Sequence, residues 1–296
     1  MTTPLIRGTS RADLLALPAI MLGFHPHDSC VVLALDGARV KFCARADLDW
    51  FSTAFERIAD QILTSAENVG AGEFVVLGYG DPDLASIAVS ELVDVIGPHN
   101  VIEALLTDGR SYWSLTSPGE PVRYRFDTSS VAAQAVYEGL VVCDDRDEAL
   151  VPVRASAPPA EHVVLSAERS VARLSSARGL RRLQALAEGG PLSDPDALQL
   201  AVLLADEDRF SAVLTQLTMS SADAYWERLV EARSVCPERH EPNLLALLAL
   251  ASWLSGRGAA HASCLEQLAR RSPDHPVLGL LFRLHRDGVP PRLWDG

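Results

Sequence analysis

Across 296 residues, a composition of 48% hydrophobic and 22% charged side chains is that of a folded globular chain and excludes a largely disordered one. The formal net charge of -13 is concentrated in the first half: residues 1–150 carry 10 Lys and Arg against 22 Asp and Glu, whereas residues 151–296 carry 16 against 17. An acidic surface repels phosphate backbones and argues against a nucleic-acid partner, and the longest apolar run, Leu244–Leu254 with Ser252 inside it, is too short to span a bilayer.

The five cysteines (Cys30, Cys43, Cys143, Cys236 and Cys264) are odd in number and form no C-x-x-C. That spacing indicates neither a disulfide framework nor a zinc site, and fits reduced thiols in a cytoplasmic protein. The first ten residues contain no apolar leader segment, which supports the same location.

In chain order, Ser10 is placed to cap a short helix ending at Leu17, before Pro18. Next comes Leu22-Gly23-Phe24-His25-Pro26-His27-Asp28-Ser29, in which glycine, proline and aspartate punctuate the backbone while aromatic and ionisable groups crowd between them. Cys30–Leu35 and Ala38–Ala46 read as two strands joined at Asp36-Gly37, a strong hairpin signal. With those two residues central, Val31 falls opposite Phe42 and Leu33 opposite Val40 on one apolar face. The other face pairs Cys30 with Cys43 and Asp28 with Arg45, and is expected to be polar and more exposed. An Asp28–Arg45 ion pair would then pin the loop to the sheet.

Ser52 is placed to cap a helix with Phe55, Ile58, Ile62 and Leu63 at helical spacing, ending near Gly70. A strand at Phe74–Leu77, a helix over Asp81–Ile96 and a strand at Val101–Leu106 follow, and short connections imply a right-handed parallel βαβ unit. Tyr112–Leu115 and Val122–Phe126 read as a second hairpin, and a helix over Ser129–Leu140 closes the half. The first domain, residues 1–150, is therefore α/β with a mixed sheet. Val151–Ala160, with three prolines, reads as a linker.

Residues 161–296 carry helical patterning throughout, an all-α domain forming a helical bundle or repeat-like array. Its helices are expected over His162–Glu188, Asp196–Ala205, Arg209–Met219, Asp223–Val235, Asn243–Ser255, Ala259–Arg271 and Pro276–Arg286. Trp253 shares a stripe with Leu247, Leu250 and Leu254 and is expected to be buried. Leu245, Leu248, Ala249, the Gly256-Arg257-Gly258 turn, Ala262, Leu265 and Pro273 resemble one tetratricopeptide unit. Stacking of at least three such units is what normally buries their faces.

Candidate chemistry centres on the loop. His25-x-His27 with Asp28, Asp47 and Asp49 supplies the ligand types of a hydrolytic metal site, whereas a proline-containing turn with Asp28 bonded to local amides accounts for the same residues more simply. Gly78-x-Gly80 lies where a dinucleotide fingerprint would sit, but Asp83 occupies the third glycine position and would oppose a pyrophosphate. Asp81 before Pro82 reads instead as a helix cap. Ser29 and Cys30 lack a nucleophile elbow or an assignable base, and Arg178, Arg181 and Arg182 read as a solvated face. No catalytic set, no metal site and no cofactor is assigned. The candidate binding residues are Phe24, His25, Asp28, Ser29, Arg45 and Asp47.

Leu22-Gly23-Phe24-x-Pro26-x-Asp28-Ser29-x-Val31-Val32, Arg45-x-Asp47-Leu48, Trp113 after Gly109, Leu254-x-Gly256-x-Gly258-Ala259 after Trp253, and Pro290-Pro291 together resemble the actinobacterial domain-of-unknown-function family 4192 over nearly the full length. The resemblance implies no activity. Two functions remain open from the residues: a non-catalytic binding or regulatory protein contacting a protein partner through its helical domain, with no nucleic-acid or membrane contact; or a small-molecule hydrolase acting around residues 22–29. The oligomeric state is not indicated.

Overall fold

A computed structural model describes residues 6–155 and 159–294. The chain divides into two compact units, the first running to Ala149 and including Arg286–Pro290, the second running from Leu150 to His285 and resuming at Pro291.

In the first unit six strands form one mixed sheet in the order β2-β1-β3-β4-β5-β6. They are β1 Ser29–Asp36, β2 Arg39–Asp47, β3 Glu73–Tyr79, β4 Val101–Thr107, β5 Ser111–Ser114 and β6 Val122–Arg123. Only β3 and β4 run parallel, joined through the expected helix. The helices of this half are α1 Arg11–Leu22, α2 Leu48–Val69, α3 Pro82–Ile96, α4 Ser130–Tyr137 and α5 Arg146–Leu150.

Strand β1 lies between β2 and β3 and is buried along Ser29–Leu35, so both of its faces are core. Cys30, Val32 and Ala34 pack with Ile58 and Ile62 of α2 and with Val89 and Leu92 of α3. Val31, Leu33 and Leu35 pack with Leu15 of α1. The expectation of a polar second face is thus corrected: a central strand covered by helices on both sides reads as a continuous apolar run rather than an alternating one.

The hairpin register also differs from the expectation. Asp36 pairs with Arg39, so Gly37 and Ala38 are the central residues. Gly37 has φ +57° while Ala38 is not among the positive-φ residues, the pattern of a II′ turn, in which glycine takes the first central position. Lys41 is then an extra residue on β2, because Leu35 pairs with Val40 but Ala34 pairs with Phe42. This bulge moves Phe42 onto the opposite face from Val40. As a result Arg45 lies opposite Val31, and Cys30 and Cys43 are not paired.

Two helix starts and ends differ as well. Ser10 caps α1 in a reciprocal box with Asp13, but the helix continues through Pro18 to Leu22. Proline forfeits one backbone bond there, while Leu15, Ala16 and Ala19 are buried, Leu15 against the sheet. Helix α2 begins at Leu48 and is kinked at Ala54, where φ is -140°; Ser52 donates to the Asp49 carbonyl instead of capping.

Asp13 ties α1 to α4. Its carboxylate accepts from the Thr9 and Ser10 amides and from the Ser130 amide and hydroxyl at 2.8 and 2.9 Å. Burial alone would raise its pKa, but these bonds outweigh burial and bring it down to about 2.

The second unit contains α6 Glu161–Ala172, α7 Ser176–Ala187, α8 Asp194–Leu204, α9 Glu207–Gln216, α10 Ala222–Ser234, α11 Glu241–Leu254, α12 Gly258–Arg271 and α13 Leu278–Arg286. No strand occurs among its described residues. Helix α11 is buried around its whole circumference from Asn243 to Leu254, as expected of a helix that is apolar on every side. It therefore forms the centre of a bundle in which α8, α9, α10 and α12 pack against it. Trp253 is 9% exposed and meets Trp294 edge-on at 6.0 Å.

The proline-rich stretch 151–160 opens with a single 3-10 turn, Val151–Val153. Val153 is fully buried, and its carbonyl accepts from Arg233 and Gln267. Residues 156–158 of that stretch lie outside the described residues. No described helix is long and apolar enough to cross a membrane.

Candidate functional site

The loop after α1 starts at Gly23, whose φ of +81° ends the helix. Phe24 follows, 1% exposed, and is held from both sides by backbone bonds to Cys143: the His25 amide donates to the Cys143 carbonyl and the Cys143 amide to the Gly23 carbonyl. A ring nitrogen of His27 lies 3.1 Å from the Asp144 carbonyl. Asp28 has φ +42°, the one non-glycine with positive φ among the described residues. Aspartate tolerates this region better than most side chains. Its carbonyl accepts the Leu48 amide at 2.9 Å and thereby sets the start of α2.

Gly80 lies against this turn. A Cβ there would stand 2.3 Å from Asp28 Oδ1 and 3.0 Å from Asp28 Cα, at φ +113°, so only glycine fits. Gly78, the other member of the glycine pair, serves packing: its Cβ would meet Leu106, Ala85 and Val89 within 3.1 Å. Asp81 caps α3 by accepting from the Asp83 and Leu84 amides, as the sequence indicates.

The expected Asp28–Arg45 pair does not form. Arg45 Nη2 donates to Asp47 Oδ1 at 2.6 Å and to the His27 carbonyl at 3.3 Å, and its guanidinium lies 5.8 Å from the Phe24 ring centroid. The lateral shift of β2 accounts for the change, because it moves Arg45 from the expected position opposite Asp28 to one opposite Val31 and places Asp47 opposite Ser29. Arg45 still pins the loop, through Phe24 and a backbone carbonyl instead of through a carboxylate.

Of the candidate residues, Phe24, Arg45 and Asp47 come together directly. His25 turns toward Phe126, edge-on at 4.5 Å. Burial lowers its pKa, and the neighbouring His27 adds to this while Asp144 and Asp127 oppose it, so neutral imidazole is favoured near pH 7. Ser29 is fully buried, and its Oγ and Arg45 Nε are buried without a hydrogen-bond partner among the described residues. Ser29 pairs with Asp47 on one side and Tyr79 on the other, and Tyr79 with Thr107. The cluster thus sits at the carboxyl ends of the parallel strands β3 and β4, where open α/β sheets commonly place ligands.

Sequence reasoning missed Gly80 as a partner of Asp28, and also Cys143 and Phe126. The Gly78-x-Gly80 pair was the available signal for the first; nothing local marks the other two, which arrive from more than 100 residues away. It also missed Glu103, buried on β4, which accepts from Arg11 and Ser114, both at 2.6 Å, and from Thr116. Burial alone would raise its pKa, but those bonds lower it.

Two concavities are described, and neither is lined by residues 22–29. One of about 370 Å³ lies in the first unit over Trp113, Leu115, Pro118 and Pro121. The other, about 270 Å³, lies in the second unit and is lined by Ala155, Arg233, Gln267, Arg270 and Arg271. Among the described residues no three His, Cys, Asp or Glu side chains converge as a metal-ligating group.

Residues 12–292 match the model of a family described as a domain of unknown function, DUF4192. The chain belongs to that family. The match takes in both units, so the loop, the mixed sheet and the buried helix α11 all fall within the DUF4192 region. No curated protein and no solved structure matches the chain.

Proposed function

We propose that this DUF4192 protein is a non-catalytic binding or regulatory protein of the cytoplasm that contacts a protein partner through its helical unit. The observation that carries this reading is the way the loop residues are used: Phe24 is buried between Cys143 and Arg45, Arg45 is bonded to Asp47 and the His27 carbonyl, and the Asp28 carbonyl starts α2. Those side chains hold the fold of the first unit together. The helical unit supports the other half of the reading, since the all-buried α11 gives a rigid centre whose surrounding helices present their outer faces. Its half of the chain is also nearly neutral, free of the long-range repulsion that the acidic half exerts on acidic macromolecules.

Five free thiols fit the reducing compartment. Burial pushes the Cys43, Cys236 and Cys264 thiols up to about 12, which leaves them protonated and inert.

The test is affinity capture of the full chain from its native host, followed by cross-linking of the captured complex. Lys41 is the single lysine, so a carboxylate-directed reagent is required. Cross-links to the partner concentrated at Asp and Glu beyond residue 159 support the reading, and cross-links concentrated before residue 149 contradict it.

A second reading, a small-molecule hydrolase acting at the loop, is favoured by one observation. Ser29 Oγ and Arg45 Nε are buried without partners among the described residues at the carboxyl ends of β3 and β4, close in sequence to a histidine held toward its neutral form. Hydrolysis of ester or phosphoester substrates by the purified chain, lost in His25→Ala, would establish this reading in place of the first.

A further inference from the structure

The concavity in the second unit has an unusual lining for an acidic chain: three of its five residues are arginines. Arg233, one of the three, is almost wholly removed from water, with 1% of its side chain exposed. All three of its nitrogens are engaged. Nε donates to the Val153 carbonyl at 3.3 Å, Nη1 to Glu241 Oε1 at 2.8 Å and Nη2 to Gln267 Oε1 at 2.9 Å.

Glu241 is also desolvated, with 2% of its side chain exposed, and its second oxygen lies 3.0 Å from Arg271 Nε. One buried carboxylate therefore serves two guanidinium groups. The second carboxylate on Arg271, Glu238, is 73% exposed, and water screens its charge. Arg270 is exposed and makes no ion pair among the described residues. Helix C-termini favour arginine in their last turn, which accounts for Arg270 and Arg271 as residues at the end of α12. It does not account for their meeting Arg233 of α10 around a shared hollow.

Charge balance at the hollow is thus positive, and two of its lining residues keep donors that no described carboxylate takes: the Arg270 guanidinium and Nη1 of Arg271. Guanidinium forks match the planar or tetrahedral oxygens of carboxylate and phosphate groups. A volume of about 270 Å³ lies just under the usual range for drug-sized ligands and suits a small anion or the charged end of a larger molecule. We propose that this cavity binds an oxyanion, a phosphate or carboxylate group, with Arg270 and Arg271 as the contacting residues and Arg233 and Gln267 as the fixed part of the lining. The proposal goes beyond the partner reading and does not depend on it, because it is read on the purified chain alone.

The experiment is calorimetric titration of the full chain with inorganic phosphate and, separately, with acetate, at ionic strength held constant with chloride. Saturable binding of at least one anion is expected, weakened tenfold or more in Arg270→Gln, which removes an exposed side chain and leaves the fold intact by circular dichroism. Binding of phosphate alone assigns a phosphoryl ligand, binding of acetate alone a carboxylate, and binding of both a general oxyanion site. Arg271→Gln is the second variant and is read only if its spectrum is native. No saturable binding of either anion, or equal binding by wild type and Arg270→Gln, would overturn the proposal.

Discussion

Replacing Asp13 by asparagine removes one charge from a site that holds the start of α1 against the start of α4. The carboxylate pKa, lowered to about 2 from an ordinary 3.8, corresponds to about 2 kcal/mol of stability at neutral pH. Asparagine also turns an amide donor toward either the Thr9 and Ser10 amides or the Ser130 group, which leaves a buried donor facing donors and adds roughly 1 kcal/mol or more. Together these lower the melting midpoint of the first unit by on the order of 5–10 °C. The pH dependence carries the sign. A depressed acid stabilises fully above its unfolded pKa and loses that stability as pH falls through its folded pKa, so the gap between wild type and Asp13→Asn should be constant above pH 5, narrow below pH 4 and, below pH 2, fall to the roughly 1 kcal/mol set by the amide donor, which does not titrate. Urea unfolding at several pH values, with hydrogen exchange at the Ser130 and Val131 amides as the local probe, measures it. A gap under about 0.5 kcal/mol at pH 7, within the usual range for surface substitutions, would refute the latch, as would a gap that persists unchanged into acid.

Trp253→Ala should cost about 3–5 kcal/mol as a large-to-small change in the bundle core, and an unchanged midpoint of the helical unit would contradict its burial. Gly80→Ala should cost roughly 2–3 kcal/mol through strain at φ +113° and the clash with Asp28; the Leu48 amide, bonded to the Asp28 carbonyl, should then exchange faster, and an unaltered rate would count against the contact. Burial lowers the His261 pKa to about 4 despite its bond to the Ala249 carbonyl. The unfolded chain therefore takes up the proton first, and about 3 kcal/mol of stability should be lost between pH 6.5 and pH 4, a slope that His261→Gln should flatten.

The sequence made the order of elements legible wherever one period dominated. The βαβ unit around α3 and the switch to helices after residue 150 both follow from such runs. The first hairpin was less legible, because Asp36-Gly37 and Gly37-Ala38 are both turn-competent and Lys41 gives no local sign of becoming a bulge. A central strand buried on both faces, β1, also cannot be told from a half-exposed one by its own residues alone, since Val31, Leu33 and Leu35 are apolar in either case. At the loop, Phe24, Arg45 and Asp47 were legible as neighbours, but their pairing was not: the turn at Gly37-Ala38 shifts the register by two places and the Lys41 bulge by one more, so Arg45 moves from opposite Asp28 to opposite Val31 and bonds to Asp47 and a carbonyl instead. Gly80 could be found from its spacing with Gly78, yet its partner Asp28 lies 52 positions earlier and is set by the pairing of β1 with β3.

Hydrogen–deuterium exchange of the full chain, alone and in complex with its captured partner, tests the central claim most directly. The account predicts slowed exchange on the outer helices of the second unit with the Gly23–Ser29 segment unchanged. Protection confined to Gly23–Ser29 and the strand ends at Asp47, Tyr79 and Thr107 would contradict it.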